Sequence, residues 1–269
     1  MLGRTWIAEI EKSIPIIPTR QPSCLTIIKD KDITGFAVLK PKNKKGTCWE
    51  IKLSEPIKDQ NKIDIKQIYQ RVLKRAINLK NDQAQSWLVK CEVSNIDQIS
   101  IARELGFQPL KLYKSWRRNY KAKESGDNSI NLPEDFEWQQ IKDNNVSSIW
   151  SLVKAGESQH LRQILDRNHG DLHLEKAKGC GMMVQKSRRD TAIISIIGAS
   201  GSLPHKTLEI VRGTAWDGRI NYLLPWILHQ LNSNYLSLSL ESSSEDDYLS
   251  ECLINNGWEL ETEKMLLGR

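Results

Sequence analysis

The chain has 269 residues, 39% of them apolar and nine of them Trp, which suits packed cores in about two domains of ordinary size and leaves no run of about 20 apolar residues to span a membrane. Its five cysteines (Cys24, Cys48, Cys91, Cys180 and Cys252) are scattered without a CxxC pair, which argues against a disulfide framework or a zinc ribbon and for reduced, buried thiols. The formal charge of +6 is uneven: residues 1–125 carry 25 Lys+Arg against 13 Asp+Glu, and residues 126–269 carry 14 against 20, so the first half can attract the second or an anionic partner.

The opening MLGRTWIAEIEK gains acids at once and lacks the apolar core of a signal peptide, so a cytoplasmic protein is expected. A short helix is predicted over 6–12, and Pro15, Pro18 and Pro22 then break the chain. Ser23–Lys29 and Ile33–Leu39 read as strands joined by the charged turn at 30–32, and the lysine-rich PKNKKG leads into a third strand, Thr47–Leu53. Ile63–Leu79 is an amphipathic helix with Ile68, Val72, Leu73 and Ile77 on one side. Trp87–Val93 is a strand, Ile96–Leu105 a helix ending at Gly106 in a left-handed cap, and Pro109–Trp116 a further strand. Arg117–Leu132 is polar and serves as a linker.

In the second half, Phe136–Ile141 is a strand, and helices cover Val146–Ala155 and about Ser158–Leu165. Gly181–Gln185 and Thr191–Ile197 are strands joined by KSRRD. The glycine-rich GASG at 198–201 lies between two strands without a following GK[ST], which favours a hairpin turn over a phosphate loop. Thr207–Val211 is a strand, Gly213–Gly218 a turn, and Ile220–Leu231 a helix with Leu223, Leu224, Trp226, Ile227 and Leu231 on a broad apolar face. Tyr235–Leu240 is a strand, Glu245–Ile254 a helix capped at Gly257, and Trp258–Leu267 the last strand. The halves thus follow one plan, with Gly106–Phe107 and Gly257–Trp258 in the same place.

The stretch from Thr207 to Asn232 carries the chemistry. A strand, a glycine turn and a helix N-terminus make a phosphate site, because the first helical N–H groups lack chain partners and the helix dipole favours an anion. An ordinary strand-to-helix junction is the alternative.

The order of elements, with ARELGF at 102–107 and its counterpart INNGW at 254–258, resembles the GNAT superfamily of N-acetyltransferases over about residues 20–118 and 134–269. The resemblance implies an α/β chain of two tandem GNAT-like domains, each a mixed, mostly antiparallel sheet flanked by helices. They would occupy residues 1–120 and 133–269, with a linker at 121–132. It implies an acyl-CoA-dependent N-acetyltransferase that uses acetyl-CoA or another acyl-CoA and a small-molecule or protein amine. The donor would lie in the gap between splayed strands, against Val211, Arg212, Gly213, Asp217, Gly218, Arg219 and Ile220.

The family's turn, Arg/Gln-x-x-Gly-x-Gly/Ala, falls on Ala215 to Ile220, and Gly218 alone matches. Arg212 and Arg219 can supply charge from nearby. The first half has no glycine between Gly46 and Gly106, so it is expected to be non-catalytic. The Tyr that many relatives carry as a general acid falls on Ala102 and Leu253; Cys252, beside the latter, reads as a small buried hydrophobe. Glu209 is the candidate base, with Glu241 also available. A catalytically silent GNAT-like module that binds protein, RNA or a small ligand is the alternative function.

His169 and His173 are four apart, but Gly170 and Asp171 argue for a turn, so no metal site is expected. KPKNKK, KRAINLK and KLYKSWRRNYKAK mix cations with aromatics as polyanion binding requires, although lysines also serve solubility and edge protection.

Overall fold

A computed structural model describes residues 23–29, 32–53, 65–79, 84–119, 131–172, 180–200, 205–213, 217–231 and 237–269. The helix expected over 6–12 and most of the expected linker lie outside these residues. The strands are β1 (Ser23–Lys29), β2 (Asp32–Pro41), β3 (Cys48–Leu53), β4 (Ser86–Glu92), β5 (Gln108–Asn119), β6 (Phe136–Gln140), β7 (Gly181–Gln185), β8 (Arg188–Ser200), β9 (His205–Arg212), β10 (Ser237–Ser243) and β11 (Glu259–Gly268). The helices are α1 (Ile65–Leu79), α2 (Ile96–Glu104), α3 (Val146–Gly156), α4 (Gln159–Leu165), α5 (Ile220–Leu231) and α6 (Asp247–Asn255). None of the described helices is long and apolar enough to cross a membrane.

The chain forms two compact units. One comprises residues 1–110, 160–171 and 265–269, and the other 111–159 and 172–264. In the first, the order is β1-β2-β3-β4 followed by the end of β11, antiparallel between β1 and β2 and between β2 and β3, and parallel between β3 and β4. Burial follows the predicted stripe of α1: Ile68, Tyr69, Val72, Leu73, Ala76 and Ile77 pack on Leu39, Trp49, Ile51 and Val89 of the strands. Spacings of one and four residues place all six on one side of a 3.6-residue helix. Leu267, fully buried, completes this core from the chain's last strand. The main chain of Arg269 exchanges two hydrogen bonds with Trp87, at 2.8 and 2.9 Å.

The first unit also takes in α4 and the turn after it. Asn43 donates to the carbonyls of Leu165 and Asp166, Lys45 pairs with Asp166 at 3.0 Å, and the Lys44 amide donates to Asp171. Two of the three PKNKKG cations are therefore paired with carboxylates of the same unit, Lys45 with Asp166 and Lys42 with Glu50.

In the second unit the order is β5-β10-β9-β8-β7-β6, with only β9 and β10 parallel among the pairs whose register is defined. A crossover through α5 joins those two. Ile220, Leu223, Leu224, Ile227 and Leu228 of α5 enter one core with Leu208, Leu238, Leu240 and the α6 residues Leu249 and Leu253.

Two strands run longer than their local pattern suggests. β5 continues through Arg117–Asn119, which read as linker, because β10 supplies partners: Arg117, Arg118 and Asn119 face Ser239, Leu238 and Ser237. β8 extends through Gly198–Ser200, so most of GASG is strand rather than hairpin turn, facing Glu209, Leu208 and Thr207 of β9. Polar and glycine-rich residues adopt extended backbone when a neighbouring strand satisfies their amides, and no local propensity reports that neighbour.

The two halves share their details. Asn95 caps α2 by accepting from the Gln98 amide at 3.1 Å, and Asp246 caps α6 by accepting from Leu249 at 3.0 Å. Gly106 and Gly257 then reverse the chain at φ +89° and +74°. Phe107 and Trp258 donate back to Ala102 and Leu253, both at 3.0 Å. An added Cβ would meet nothing closer than 3.8 Å at either glycine, so the cost of a side chain there is conformational. Gly106→Ala and Gly257→Ala should each destabilise by about 1–2 kcal/mol in chemical denaturation, the penalty of a left-handed non-glycine residue.

Candidate functional site

The parallel pair at the middle of the second unit does not stay paired. Register runs from His205↔Ser237 to Leu208↔Leu240, four residues in all. Beyond it, β9 remains bonded to β8 as far as Arg212, and β10 remains bonded to β5 as far as Ser243. Each strand keeps its outer neighbour and loses the inner one, so a gap opens past Leu208 and Leu240. A register shift in the β8–β9 pairing, between Ile196 and Gly198, falls at that level, where a bulge adds local twist.

The first unit repeats the device. β3 and β4 pair from Cys48↔Ser86 to Ile51↔Val89, again four residues, and then part. The residues one step past the last pair differ in charge: Lys52 and Lys90 in the first unit, Glu209 and Glu241 in the second. Burial pushes the Glu50 carboxyl up, and Lys42, Lys52 and Lys90 more than offset it, holding it below its ordinary value. The first cleft thus has cations where the second has its candidate base.

Glu209 is exposed. By strand alternation it shares a face with Thr207, whose hydroxyl lies 2.8 Å from that of Ser239. Glu241 is bound to Lys264 at 3.2 Å, which makes it the less available base.

The turn after β9 arranges its charges internally. A Cβ on Gly213 would come within 3.1 Å of Leu152, whereas among the described residues a Cβ on Gly218 would meet only Tyr248, at 3.8 Å. Among the described residues, therefore, nothing crowds position 218, and the missing side chain allows close approach to its backbone. Residues 214–216, including Trp216, lie outside the described residues.

Contrary to the expectation of unpartnered amides, the start of α5 is capped from within. The Asp217 carboxylate accepts from the Arg219 amide at 3.1 Å and from its guanidinium at 2.6–3.1 Å. Ile220 and Asn221 donate to the carbonyls of Asp217 and Gly218. The Arg219 hydrogen bonds hold the Asp217 carboxyl below its usual range. Its stabilising contribution is thus present at neutral pH and lost as pH falls through the lowered value.

The other expected donor-site residues spread around this turn. Val211 is half-buried opposite Ser195, and the Ile220 side chain is buried in the core, leaving only its backbone at the turn. Arg212 is turned inward, where it meets Asp246 at 3.2 Å and donates to the Asp217 carbonyl at 2.8 Å. In the sequence Asp246 carries only a weak local signal, an acid at the start of a helix.

Cys252 has a structural explanation. Pro225 inside α5 has no N–H to give the Asn221 carbonyl. The Cys252 thiol lies 4.0 Å from that oxygen and 3.7 Å from that of Ile220. Burial pushes the thiol up to about 11, so it stays protonated and donates rather than attacking. Leu253 and Ala102, which stand where the resemblance would place a tyrosine acid, are both fully buried.

The basic segment at 111–119 is spent locally. Lys111 donates to the Gly156 carbonyl at 2.8 Å, Lys114 reaches Ser250, and Arg117 pairs with Glu261 at 2.9 Å. His169 sits in a short 3-10 turn, His173 lies outside the described residues, and no group of three metal-ligating side chains occurs among the described residues.

Comparison with solved structures places this architecture. The chain is similar to a GCN5-related N-acetyltransferase from Sphaerobacter thermophilus, with TM-score 0.60, 9% identity, and coverage of 97% of this chain and 84% of that one. It is similar to a GCN5-related N-acetyltransferase from Kribbella flavida, with TM-score 0.56, 10% identity, and coverage of 98% and 94%. A tandem GNAT protein from the clavulanic acid biosynthesis pathway, solved without AcCoA, matches with TM-score 0.54, 7% identity, and coverage of 97% and 86%. No protein-family model matches the chain, and no curated protein matches it. The fold is that of the GNAT N-acetyltransferases, α/β with the same plan in each half.

Proposed function

We propose that this chain is an acyl-CoA-dependent N-acyltransferase, with acetyl-CoA or another acyl-CoA in the β9–β10 gap and a small-molecule or protein amine as acceptor. The observation that carries this reading is the parting of β9 from β10 after four pairs, with Gly218 and a helix N-terminus beyond. The fit differs along the donor. Parted strands leave main-chain groups to line an extended thiol arm, and Gly218 allows close approach. At the phosphate end the Arg219 guanidinium is already engaged by Asp217, so an anion must displace that carboxylate. The donor supplies an acyl group activated as a thioester. Glu209 removes the proton from the attacking amine, and the buried hydrocarbon of Leu253 leaves the departing thiolate to be protonated from solvent. The first unit, with Lys52 and Lys90 at the equivalent positions, is the non-catalytic partner. In sequence the two domains of this reading are 1–120 and 133–269, joined by 121–132, although the first compact unit also takes in 160–171 and 265–269 and the second begins at 111.

Thermal unfolding with millimolar acetyl-CoA tests it. Binding to the native state at a hundred times Kd stabilises by about 2.7 kcal/mol and raises the midpoint. An unchanged midpoint would leave the second reading, a GNAT-shaped binding module without catalysis, which Leu253 and Ala102 favour. The charge of Asp217 gives a further expected result. Asp217→Asn keeps a capping oxygen but frees Arg219, so titration calorimetry with coenzyme A should show affinity rising about tenfold, with stability changed by about 1 kcal/mol or less.

A further inference from the structure

Arg212 ends β9, four residues past the last pair with β10, and Asp246 lies three residues beyond the end of β10. The two side chains meet across the lips that the parting strands create, at 3.2 Å and with 6% and 8% of their surface exposed. Each is also tied to its own lip. A second Arg212 nitrogen donates to the Asp217 carbonyl at 2.8 Å, and Asp246 Oδ1 accepts from the Leu249 amide at 3.0 Å. The backbone is gripped too, because a Cβ on Gly156 would come within 2.6 Å of the Arg212 carbonyl oxygen.

We infer that Arg212 and Asp246 are a positioning pair, a buried strut that sets where the donor turn stands by bracing it against the N-terminus of α6. The energetics support positioning over stability. Burial pushes the Asp246 carboxyl up and the Arg212 guanidinium down. Each ion is therefore less favoured here than in water, and a buried pair of this kind often contributes nothing to folding compared with apolar replacements. What it does contribute is a fixed distance between two segments that share no strand pairing. That role matters for a site built on a turn, where small displacements lower binding and rate steeply. The link to donor binding rests on the acyltransferase reading; the bracing of the turn does not.

The test uses the full chain carrying Arg212→Met with Asp246→Asn, which removes both charges and keeps an N-cap oxygen on α6. Amide hydrogen exchange over Arg219–Leu223 should quicken about tenfold while the α6 amides and the melting temperature hold. Unchanged exchange over 219–223 overturns the inference, and so does a uniform acceleration across the second unit with a falling melting temperature, which marks a merely structural pair. Arg212→Lys, which keeps the charge but lacks the fork, should quicken the same amides by less. Coenzyme A should bind the double variant at least about tenfold more weakly than the parent; equal binding also overturns the link to the donor. If the parent binds no coenzyme A, the acyltransferase reading fails and the exchange result alone decides the strut.

Discussion

Glu209→Gln should lower the acyl-transfer rate by about 10²-fold or more with any amine the chain accepts, the range for loss of a general base. The substitution is nearly isosteric and the residue is exposed, so the melting temperature should not move. Its place in β9 makes the prediction specific. Glu209 is one residue past the last pair with β10, opposite Gly198 where the β8–β9 register has shifted. Glu241, at the matching position of β10, is occupied by Lys264, so Glu241→Gln should cost much less. Release of free thiol from acetyl-CoA, followed at saturating donor across pH, checks both. An unaltered rate in Glu209→Gln would remove that residue from the mechanism.

Leu267→Ala should destabilise the first unit by about 2–5 kcal/mol, as expected for deleting a buried leucine from a packed core. Leu267 is fully buried among Trp87, Val89 and Phe107, far from it in sequence. Beside it, a Cβ on Gly268 would come within 2.5 Å of Leu110 Cδ1, so the strand end is closely packed as well as apolar. Leu260, on the same strand but 47% exposed, is the control, and Leu260→Ala should change stability by about 0.5 kcal/mol or less. With two units, unfolding need not be two-state. Urea transitions should therefore be followed at a tryptophan of each unit, Trp49 and Trp116 being fully or nearly fully buried. A first-unit transition that does not shift would show that the end of β11 is not part of that core.

Much of the fold was legible because its signals are local. The apolar stripe of α1 repeats with the helix period, and the left-handed Gly106 and Gly257 mark helix ends that almost any other residue would oppose. Among the candidate site residues, the strand–turn–helix from Thr207 onward was legible for the same reason. Its electrostatics were not. Arg219 looked available for a phosphate until folding set it on Asp217, and Arg212 until it met Asp246, 34 residues on, at the cap of another helix. Cys252 reads as an idle hydrophobe until Pro225 leaves a carbonyl beside it.

By itself, then, the order of residues determined which segments are helix or strand, where the helices stop, and that one plan occurs twice. Tertiary structure decided the length of β5 and β8, the burial of Leu267 in the first core, the parting of β9 from β10, and which charges neutralise which. The reason is one of range. Periodicity and backbone conformation act over a few residues, whereas strand partners, desolvation and ion pairs depend on groups that only the folded chain brings within hydrogen-bonding distance.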